Sequence, residues 1–566
     1  MKRFFALLAA LSLIPAFSLG AQDGITLSTH PKLPSDIYAY RVPEPGYEGR
    51  GMFYRPVYFV FPDSRCTIEQ ADVLLEELGI AQGEPGENLG AVYFINPAGA
   101  KYDDKADFER YEAAFNSMFV SVNLKVIGIG NGATFVNSAI APRAAEVAGI
   151  LSIGGKAPKK FIPGNTVPAY IAGSNASAVA KDYRKRNAAS NDEFLQVVTA
   201  ASGLKSLGDI FADSWDKVLC KNVRYTNYGH TGYMGARLGQ YPEYELEPYM
   251  IPERLGMKVN MVERNLGFSG KDYMWYEYLP GTFEGAAEKS VPMVVLLHGN
   301  YNDPRTQAET SGFLNLAAEE GFFVAEMEWQ GGRPGKYAWM GMDGVEVAIY
   351  DILSRYPQID PSRIYAEGMS AGGFSCTAVG VHKSYLFAAV GCHSGGVVTG
   401  HLGEKIILGS GYSEKSLNAD AAQKRGKVTM PYFYISGTAD DAVPFVSHMD
   451  IRNPYSSSPV VAPEESFGFK AWQLYQRLNG APVSTKVDFS VDPVFGIELS
   501  DRITTQAKGF TVDQGDIVVG DVPVCRLVAV DNYGHWNFVP GARMMWEYFK
   551  MFSRDPETKE IIYSGK

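Results

Sequence analysis

The stretch from Glu367 to Gly373, which reads EGMSAGG, constrains the fold more than any other part of the sequence. It follows a short run, residues 363–366, that suits a buried strand, and it precedes a helix-like run from Phe374 to His382. Glycines on both sides of Ser370 allow the chain to turn sharply from a strand into a helix. Such a turn would hold the serine hydroxyl clear of the sheet, where a neighbouring base could deprotonate it. A motif this short also arises by chance in a chain with 59 glycines, so its interpretation needs a base and an acid elsewhere.

The first 20 residues have the composition of a secretory signal. Two basic residues precede an apolar run from Phe4 to Phe17, and residues 18–20 supply small side chains for a signal peptidase. We therefore expect a signal peptide over residues 1–20, a mature chain that starts near Ala21, and a secreted or periplasmic location. An uncleaved membrane anchor is the alternative, although the apolar run is short for one. No other stretch is apolar enough to cross a membrane, so we expect no span after cleavage.

Length, charge and the positions of cysteine and histidine exclude several classes of function. A chain of 566 residues is expected to form two or three domains. Loss of two basic residues with the signal changes the net charge from −11 to −13, which argues against a nucleic-acid partner because phosphates need a positive surface. The five cysteines form no C-x-x-C pair and the eight histidines show no metal-ligand spacing, so we expect no metal. Export would permit disulfides, and Cys376 and Cys392 could pair.

The first half of the chain alternates between predicted strands and predicted helices. Strands are expected at Tyr58–Phe61, Val92–Ile95 and Leu124–Ile127, and helices are expected over residues 68–78 and 107–119. This alternation predicts an α/β fold, with a mostly parallel sheet that is covered by helices on both faces.

A predicted strand in the second half ends in a turn suited to binding an oxyanion. The buried strand Met293–Leu297 runs into the sequence HGN. In acyl-transfer folds, the turn after this strand supplies one backbone N–H to the oxyanion hole. We expect that donor to be Asn300, with Tyr301 as the alternative, and the second donor to be the backbone N–H of Ala371. His298 is expected to brace the turn rather than to act as a base.

An acid and a base follow the candidate nucleophile in the order that a catalytic triad needs. Asp440 lies in the sequence GTADDAVP, which follows a predicted strand, and the adjacent Asp441 is its rival. His535 lies on the loop after the last predicted strand, Cys525–Val530, where a general base is expected. The order Ser, Asp, His is that of the α/β-hydrolase triad, so we interpret Ser370 as the nucleophile, Asp440 as the orienting acid and His535 as the base.

Residues from about 270 to 550 resemble the polyhydroxybutyrate-depolymerase and feruloyl-esterase branch of the α/β-hydrolases. The matching motifs are Leu297–Gly299, Gly368–Gly373, Gly437–Pro444 and Gly534–His535. The resemblance implies a secreted hydrolase that acts on polymer or plant cell-wall esters and needs no cofactor. The sequence departs from the family pattern between the acid and the base. Eighty residues lie between Pro444 and Cys525, where the last predicted strand starts, and a minimal hydrolase needs far fewer. This extra segment could overhang the site, and it leaves the substrate class open.

The first half repeats the landmarks of the second half in a depleted form. Gly130 falls at the position of the serine and Ala176 falls at the position of the acid. The tetrapeptide NYGH occurs twice, ending at His230 and at His535. An internal repeat of this kind predicts two domains of the same fold, the first of which lacks a nucleophile and an acid. The alternative is that two α/β sheets share these residues by chance.

The sequence as a whole predicts two tandem α/β-hydrolase-like domains, the first of them degenerate. We expect a signal peptide at 1–20, a degenerate α/β-hydrolase-like domain at 21–255 and a catalytic α/β-hydrolase domain at 256–566. The expected activity is that of a serine carboxylic-ester hydrolase with a small-molecule or polymer ester as substrate and a polysaccharide as a further candidate partner. Two alternatives remain, a serine peptidase of the same fold and a polysaccharide-binding or partner-binding protein with little catalysis.

Overall fold

The computed structural model of the protein describes the chain in separate stretches. These are residues 26–41, 56–80, 91–117, 123–144, 146–189, 196–203, 206–219, 252–267, 269–300, 304–331, 337–397, 414–424, 429–440, 442–448 and 462–565. The predicted signal peptide and the first NYGH tetrapeptide lie outside these residues, as do Tyr301 and Asp441. Within them, no helix is long and apolar enough to cross a membrane.

The chain divides into two compact units, and the division falls near residue 250. Each unit contains its own mixed sheet, so the predicted α/β class is confirmed. The predicted domain bounds of 21–255 and 256–566 stay predictions.

The described strands of the first unit form one sheet of eight. They are β1 (Ser28–Thr29), β2 (Ile37–Arg41), β3 (Val57–Phe61), β4 (Ala91–Ile95), β5 (Leu124–Ile129), β6 (Gly149–Ile153), β7 (Ala169–Ala172) and β8 (Val198–Ala201). Strands β4-β3-β5-β6-β7-β8 are parallel neighbours in that order, and β2 and β1 extend the sheet antiparallel beside β4. The helices are α1 (Ile68–Leu78), α2 (Ala106–Ser117), α3 (Asn131–Phe135), which continues as a π-helical segment (Val136–Ile140), α4 (Ala176–Asn187) and α5 (Leu207–Lys217).

The described strands of the second unit form a sheet of ten and a separate hairpin. They are β9 (Lys258–Arg264), β10 (Tyr273–Leu279), β11 (Val291–Leu297), β12 (Phe323–Met327), β13 (Ile359–Met369), β14 (Ala389–His393), β15 (Tyr432–Gly437), β16 (Ser500–Ala507), β17 (Phe510–Val519), β18 (Val522–Val530), β19 (Phe552–Arg554) and β20 (Ile561–Tyr563). The large sheet has the order β16-β17-β18-β15-β14-β13-β11-β12-β10-β9, and β19 pairs with β20.

Helices cover this second sheet along its length. They are α6 (Pro304–Thr310), α7 (Phe313–Glu320), α8 (Gly341–Arg355), α9 (Ala371–His382), α10 (Glu414–Lys424), α11 (Phe467–Asn479) and α12 (Pro540–Phe549). Short 3-10 segments lie at Pro252–Leu255, Phe283–Gly285, Val446–His448 and Pro463–Glu465. Every residue of β11 is buried, as expected for a central parallel strand with helices on both faces.

The direction of the central strands brings the predicted motifs to one edge of the sheet. Strands β11, β13, β14, β15 and β18 are parallel neighbours. Their carboxyl ends therefore lie together, and open α/β sheets place their functional loops at that edge. The serine, the acid and the histidine each follow one of these strands.

The extra segment before the last strand contributes to the core in its described part. Ser466 caps α11, because its hydroxyl accepts a hydrogen bond from the Phe469 N–H at 3.2 Å. Gly480 ends the helix in a left-handed conformation with φ of 73°. Trp472 of this helix is fully buried against the sheet. Strands β16 and β17 then lengthen the sheet, so this part of the segment builds the fold.

The cysteines of the described residues are free thiols. Cys376 and Cys392, which could have paired, are both buried and unbonded to each other. Burial raises the pKa of the Cys392 thiol to about 11 and raises that of Cys376 well above its usual range. Thiols that are buried and protonated act as small apolar side chains.

Candidate active site

Ser370 lies in a strained turn between β13 and α9. Its φ of 57° and ψ of −120° are rare for a residue with a side chain. The turn is held on both sides, because the Ser370 N–H donates to the His393 carbonyl at 2.9 Å and the Phe374 N–H donates to the Ser370 carbonyl at 3.0 Å. A Cβ atom at Gly372 would lie 1.8 Å from the Leu297 carbonyl oxygen, so only glycine allows this close approach.

The three predicted triad residues form a continuous hydrogen-bond chain. His535 Nε2 lies 2.9 Å from Ser370 Oγ, and His535 Nδ1 donates to Asp440 Oδ2 at 2.8 Å. The second carboxylate oxygen of Asp440 accepts the N–H groups of Ala442 at 3.0 Å and of Val443 at 2.7 Å. These bonds fix the carboxylate, and they explain why an aspartate at this place in the GTADDAVP sequence faces the histidine. Asp441, the rival acid, lies outside the described residues.

The two predicted oxyanion donors lie at the same edge of the sheet. Ala371 is the first residue of α9, and the first N–H groups of a helix have no partner within it. Asn300 lies three residues after β11, and β11 pairs with β13 with Leu297 opposite Gly368. The position of both residues suits the predicted role, which stays a prediction.

His298 braces the turn after β11, in the way its sequence position suggested. The ring is fully buried, and its Nδ1 donates to the Gly299 carbonyl at 2.7 Å. The backbone carbonyl of His298 accepts the indole N–H of Trp329 at 3.0 Å. Both contacts hold the turn that carries Asn300.

His393 belongs to this site, although the sequence offered no reason to single it out. It is the last residue of β14, and its Nε2 accepts the Phe538 N–H at 3.3 Å. Burial, together with the nearby His535, lowers the pKa of His393 to about 3. The ring is therefore neutral and serves as an acceptor that anchors the loop after His535. Its place at the end of a predicted strand is too weak a signal to identify it from the sequence.

Glu367 is a second residue whose role the sequence did not reveal, although it lies inside the motif itself. Its side chain is buried on β13, and both carboxyl oxygens lie within 3.1 Å of the Gln307 side-chain nitrogen. Burial raises the pKa of Glu367 to about 8. A carboxyl group with this pKa is mostly protonated at neutral pH, so the site keeps a neutral acid three residues before Ser370.

Replacement of Glu367 by Gln should reduce the pH dependence of stability. The folded pKa lies above the ordinary value, so between about pH 4.5 and pH 8 the folded protein holds a proton that the unfolded chain has released. The free energy of unfolding should therefore fall as pH rises through this window, by up to about 5 kcal/mol for this one group. Urea unfolding of wild type and Glu367→Gln at several pH values measures this fall. Equal slopes in the two proteins would contradict the prediction.

Residues 274–445 match the family described as "Esterase PHB depolymerase". No curated protein matches the chain. Similar solved structures include an acetyl xylan esterase from Aspergillus awamori, with 13% identity, 52% of this chain and 99% of that chain covered, and a TM-score of 0.34. An S-formylglutathione hydrolase from Agrobacterium tumefaciens has 12% identity, covers 52% and 95% of the two chains, and has a TM-score of 0.34.

A ferulic acid esterase is also similar, with 19% identity, 32% of this chain and 80% of that chain covered, and a TM-score of 0.25. The resemblance that the motifs suggested is confirmed by the family match. Residues 274–445, within the second unit, are thus similar to the family described as esterase PHB depolymerase.

Proposed function

We propose that the protein is a secreted serine hydrolase that cleaves carboxylic esters through an acyl-serine intermediate on Ser370. The observation that carries this proposal is the hydrogen-bond chain from Ser370 through His535 to Asp440. The family match supports ester hydrolysis, and the sequence of residues 1–20 supports export. Polymer or plant cell-wall esters are the proposed substrates, because the resemblance of the motifs implies them.

The proposed reaction begins when the Ser370 hydroxyl attacks the ester carbonyl carbon and passes its proton to His535 Nε2. Asp440 accepts the Nδ1 hydrogen bond, which keeps Nε2 available for the proton and stabilises the imidazolium that forms. The carbonyl oxygen becomes an oxyanion, and the backbone N–H groups of Ala371 and Asn300 are its proposed donors.

The second part of the proposed cycle releases both products and restores the enzyme. The tetrahedral intermediate collapses, the bond to the alcohol oxygen breaks, and His535 gives its proton to the departing alcohol. Water then attacks the acyl carbon, and His535 accepts a proton from that water. The bond to the Ser370 oxygen breaks, the carboxylic acid leaves, and His535 returns the proton to the serine. Atoms and protons balance over the cycle, which needs no redox partner.

Replacement of Ser370 by Ala should lower ester hydrolysis by at least about 10⁴-fold and leave the fold intact, because the members of a triad act as a unit. The measurement is kcat/KM for a panel of p-nitrophenyl esters and for peptide p-nitroanilides, with circular dichroism as the control for folding. Turnover of Ser370→Ala close to that of wild type would refute the assignment.

The same panel separates the alternatives. Wild-type preference for the anilides would establish a peptidase. No turnover of either class, and no reaction of Ser370 with a fluorophosphonate probe, would favour a binding protein.

Replacement of Asp440 by Asn should cost roughly 10³- to 10⁴-fold in kcat, because the wrong histidine tautomer is then stabilised. Asp441→Asn is the matched control, and it should cost far less, since Asp440 holds the hydrogen bond to His535. Rates of p-nitrophenyl ester hydrolysis compare the two variants. Equal losses, or a larger loss at residue 441, would show that the acid has been assigned to the wrong neighbour.

The first unit is proposed to be a degenerate α/β-hydrolase fold. Its strand order β2-β4-β3-β5-β6-β7-β8 corresponds one to one with the order β10-β12-β11-β13-β14-β15-β18 of the second unit. In both series the first strand is antiparallel to the second, and all later neighbours are parallel. An agreement of seven strands in order and direction supports descent from one repeated fold.

The turn after β5 supports the same proposal at atomic detail. Gly130 has φ of 55° and ψ of −114°, close to the 57° and −120° of Ser370. The Gly130 N–H donates to the Ile153 carbonyl at 2.8 Å, as the Ser370 N–H donates to His393. The first unit thus keeps the backbone of the nucleophile turn without the nucleophile.

The predicted counterpart of the acid needs a correction of one residue. Ala172 of β7 lies opposite Ile153, whereas Ile435 of β15 lies opposite His393. Ile153 and His393 are counterparts, because each accepts the N–H of its turn residue, so this register makes Ala172 the counterpart of Ile435. Asp440 lies five residues after Ile435, and its counterpart is therefore residue 177 and not Ala176. Residues 172–177 read AGSNAS and include no acid, so the conclusion that the acid is absent is unchanged.

Asp63 occupies the place where the second unit would bind an oxyanion. Its Oδ1 accepts the Asn131 N–H at 2.7 Å, and Asn131 is the counterpart of Ala371. A Cβ atom at Gly130 would lie 2.0 Å from the same oxygen. The first unit therefore lacks the nucleophile and also fills the adjacent donor position with its own carboxylate. This arrangement supports a non-hydrolytic role for the unit.

Replacement of Gly130 by Ser should destabilise the first unit by about 3 kcal/mol, because the side chain meets Asp63 and the backbone is strained. Gly154→Ser is the matched control, since Gly154 also has a positive φ of 70° but has nothing within 4 Å of an added Cβ. It should cost only about 1–2 kcal/mol from backbone strain. Urea unfolding measures both, and ester hydrolysis should stay within about twofold of wild type in each. Equal costs for the two variants would contradict the proposed filling of the site.

A further inference from the structure

Three buried polar side chains connect the elements that carry the candidate active site. Gln307, Glu367 and Asn537 are 2%, 1% and 6% exposed. They come from α6, from β13 and from the loop that follows His535. They lie far apart in the sequence, so no local secondary structure requires them to meet.

Hydrogen bonds join the three side chains into one chain. The Gln307 side-chain N–H₂ group lies 2.8 Å and 3.1 Å from the two carboxyl oxygens of Glu367. The Asn537 N–H₂ group donates to Gln307 Oε1 at 3.1 Å and to Thr310 Oγ1 at 2.8 Å. Gln307 therefore uses both ends of its amide, and it bridges the other two residues.

Each end of this chain lies within a few residues of a candidate catalytic group. Glu367 lies on β13, three residues before Ser370 in the turn that follows this strand, and Asn537 comes two residues after His535. Helix α6, which carries Gln307, begins four residues after Asn300. These hydrogen bonds thus connect β13, the loop that carries His535 (called the histidine loop below) and helix α6, which follows the turn after β11.

The histidine loop is held from other directions as well. The Tyr533 hydroxyl donates to the Asn537 carbonyl at 2.7 Å, and the Phe538 N–H donates to His393 Nε2 at 3.3 Å. The first bond closes the loop across His535, and the second anchors the loop to β14 after His535. Among these contacts, only the chain through Gln307 connects the loop directly to a side chain of the nucleophile strand.

Because the three side chains are buried, a change in their positions that breaks a hydrogen bond is costly. A buried polar group without a partner is costly, whereas apolar residues of similar volume could pack in its place at little cost. Each side-chain nitrogen and oxygen of the three residues has a hydrogen-bond partner, and such a network admits few alternative arrangements, because a shift leaves a polar atom unpaired. It therefore favours a single position of one loop relative to one strand.

We propose that Gln307, Glu367 and Asn537 are positioning residues that hold His535 within hydrogen-bond distance of Ser370. This inference rests on the proposed ester hydrolysis at Ser370. None of the three residues is proposed to contact the substrate. Their loss should therefore slow the chemistry and leave substrate binding almost unchanged.

The test compares two buried glutamines of the same unit. Gln307→Met removes both ends of the bridging amide at similar volume. Gln476→Met is the matched control, because Gln476 is also buried and also uses both ends of its amide, toward Ser484. Measurements are kcat and KM for a p-nitrophenyl ester, the second-order rate of fluorophosphonate labelling of Ser370, and the melting temperature.

Gln307→Met should lower kcat and the labelling rate together by about 10- to 100-fold, with KM within about twofold, since small misplacements of catalytic groups have effects of this size. Gln476→Met should leave kcat, KM and the labelling rate within about twofold of wild type, even where it lowers the melting temperature. A Gln307→Met/Asn537→Leu double variant should be little slower than either single variant, because both break the same chain.

Folded Gln307→Met with kcat within twofold of wild type would overturn the inference, and so would equal losses in the two glutamine variants. If Gln307→Met does not fold, Asn537→Ser decides by the same rates, because its shorter side chain cannot reach Gln307. Wild-type protein that neither hydrolyses esters nor reacts with the probe would refute the proposed function instead, so the two failures are distinguishable.

Discussion

The close approach of a helix to the end of the neighbouring strand is the constraint on which the site depends. Gly372 packs so tightly that a Cβ atom would lie 1.8 Å from the Leu297 carbonyl oxygen. This contact allows α9 to start directly at the end of β13, which forces Ser370 into its strained conformation above the sheet. The first unit keeps the same contact, since a Cβ atom at Gly132 would lie 2.1 Å from the Phe61 carbonyl oxygen.

Comparison of the two units separates what the fold requires from what the proposed chemistry requires. Strand order, strand direction and the positive φ of the turn are present in both units. Ser370 follows the turn strand of the second unit, whereas Gly130 stands at the similar turn of the first unit, where Asp63 accepts the Asn131 N–H. The same backbone turn carries a glycine in the first unit and a serine in the second, so the turn by itself does not imply a reaction.

Much of the fold and site could be predicted from the sequence because the signals are local. A few neighbouring residues are enough to identify each signal. These signals are the glycines around Ser370, the spacing around Asp440 and the position of His535 after the last strand. The hydrogen bonds among Gln307, Glu367 and Asn537 could not be predicted. Gln307 is 60 residues from Glu367 and 230 residues from Asn537 in the sequence, and no periodicity connects them. In the proposed superposition of the two units, the strand register moves the counterpart of Asp440 by one position from Ala176, a shift that residue types alone did not predict.

The most direct test of the account is the location of the acyl group during turnover. Protein that is mixed with excess p-nitrophenyl acetate, quenched rapidly in acid and digested can be mapped by peptide mass spectrometry. The account predicts an acetyl group on the peptide that contains Ser370, and none on that peptide in Ser370→Ala. Ester turnover with an unmodified Ser370 peptide, or with the acyl group on another residue, would contradict it.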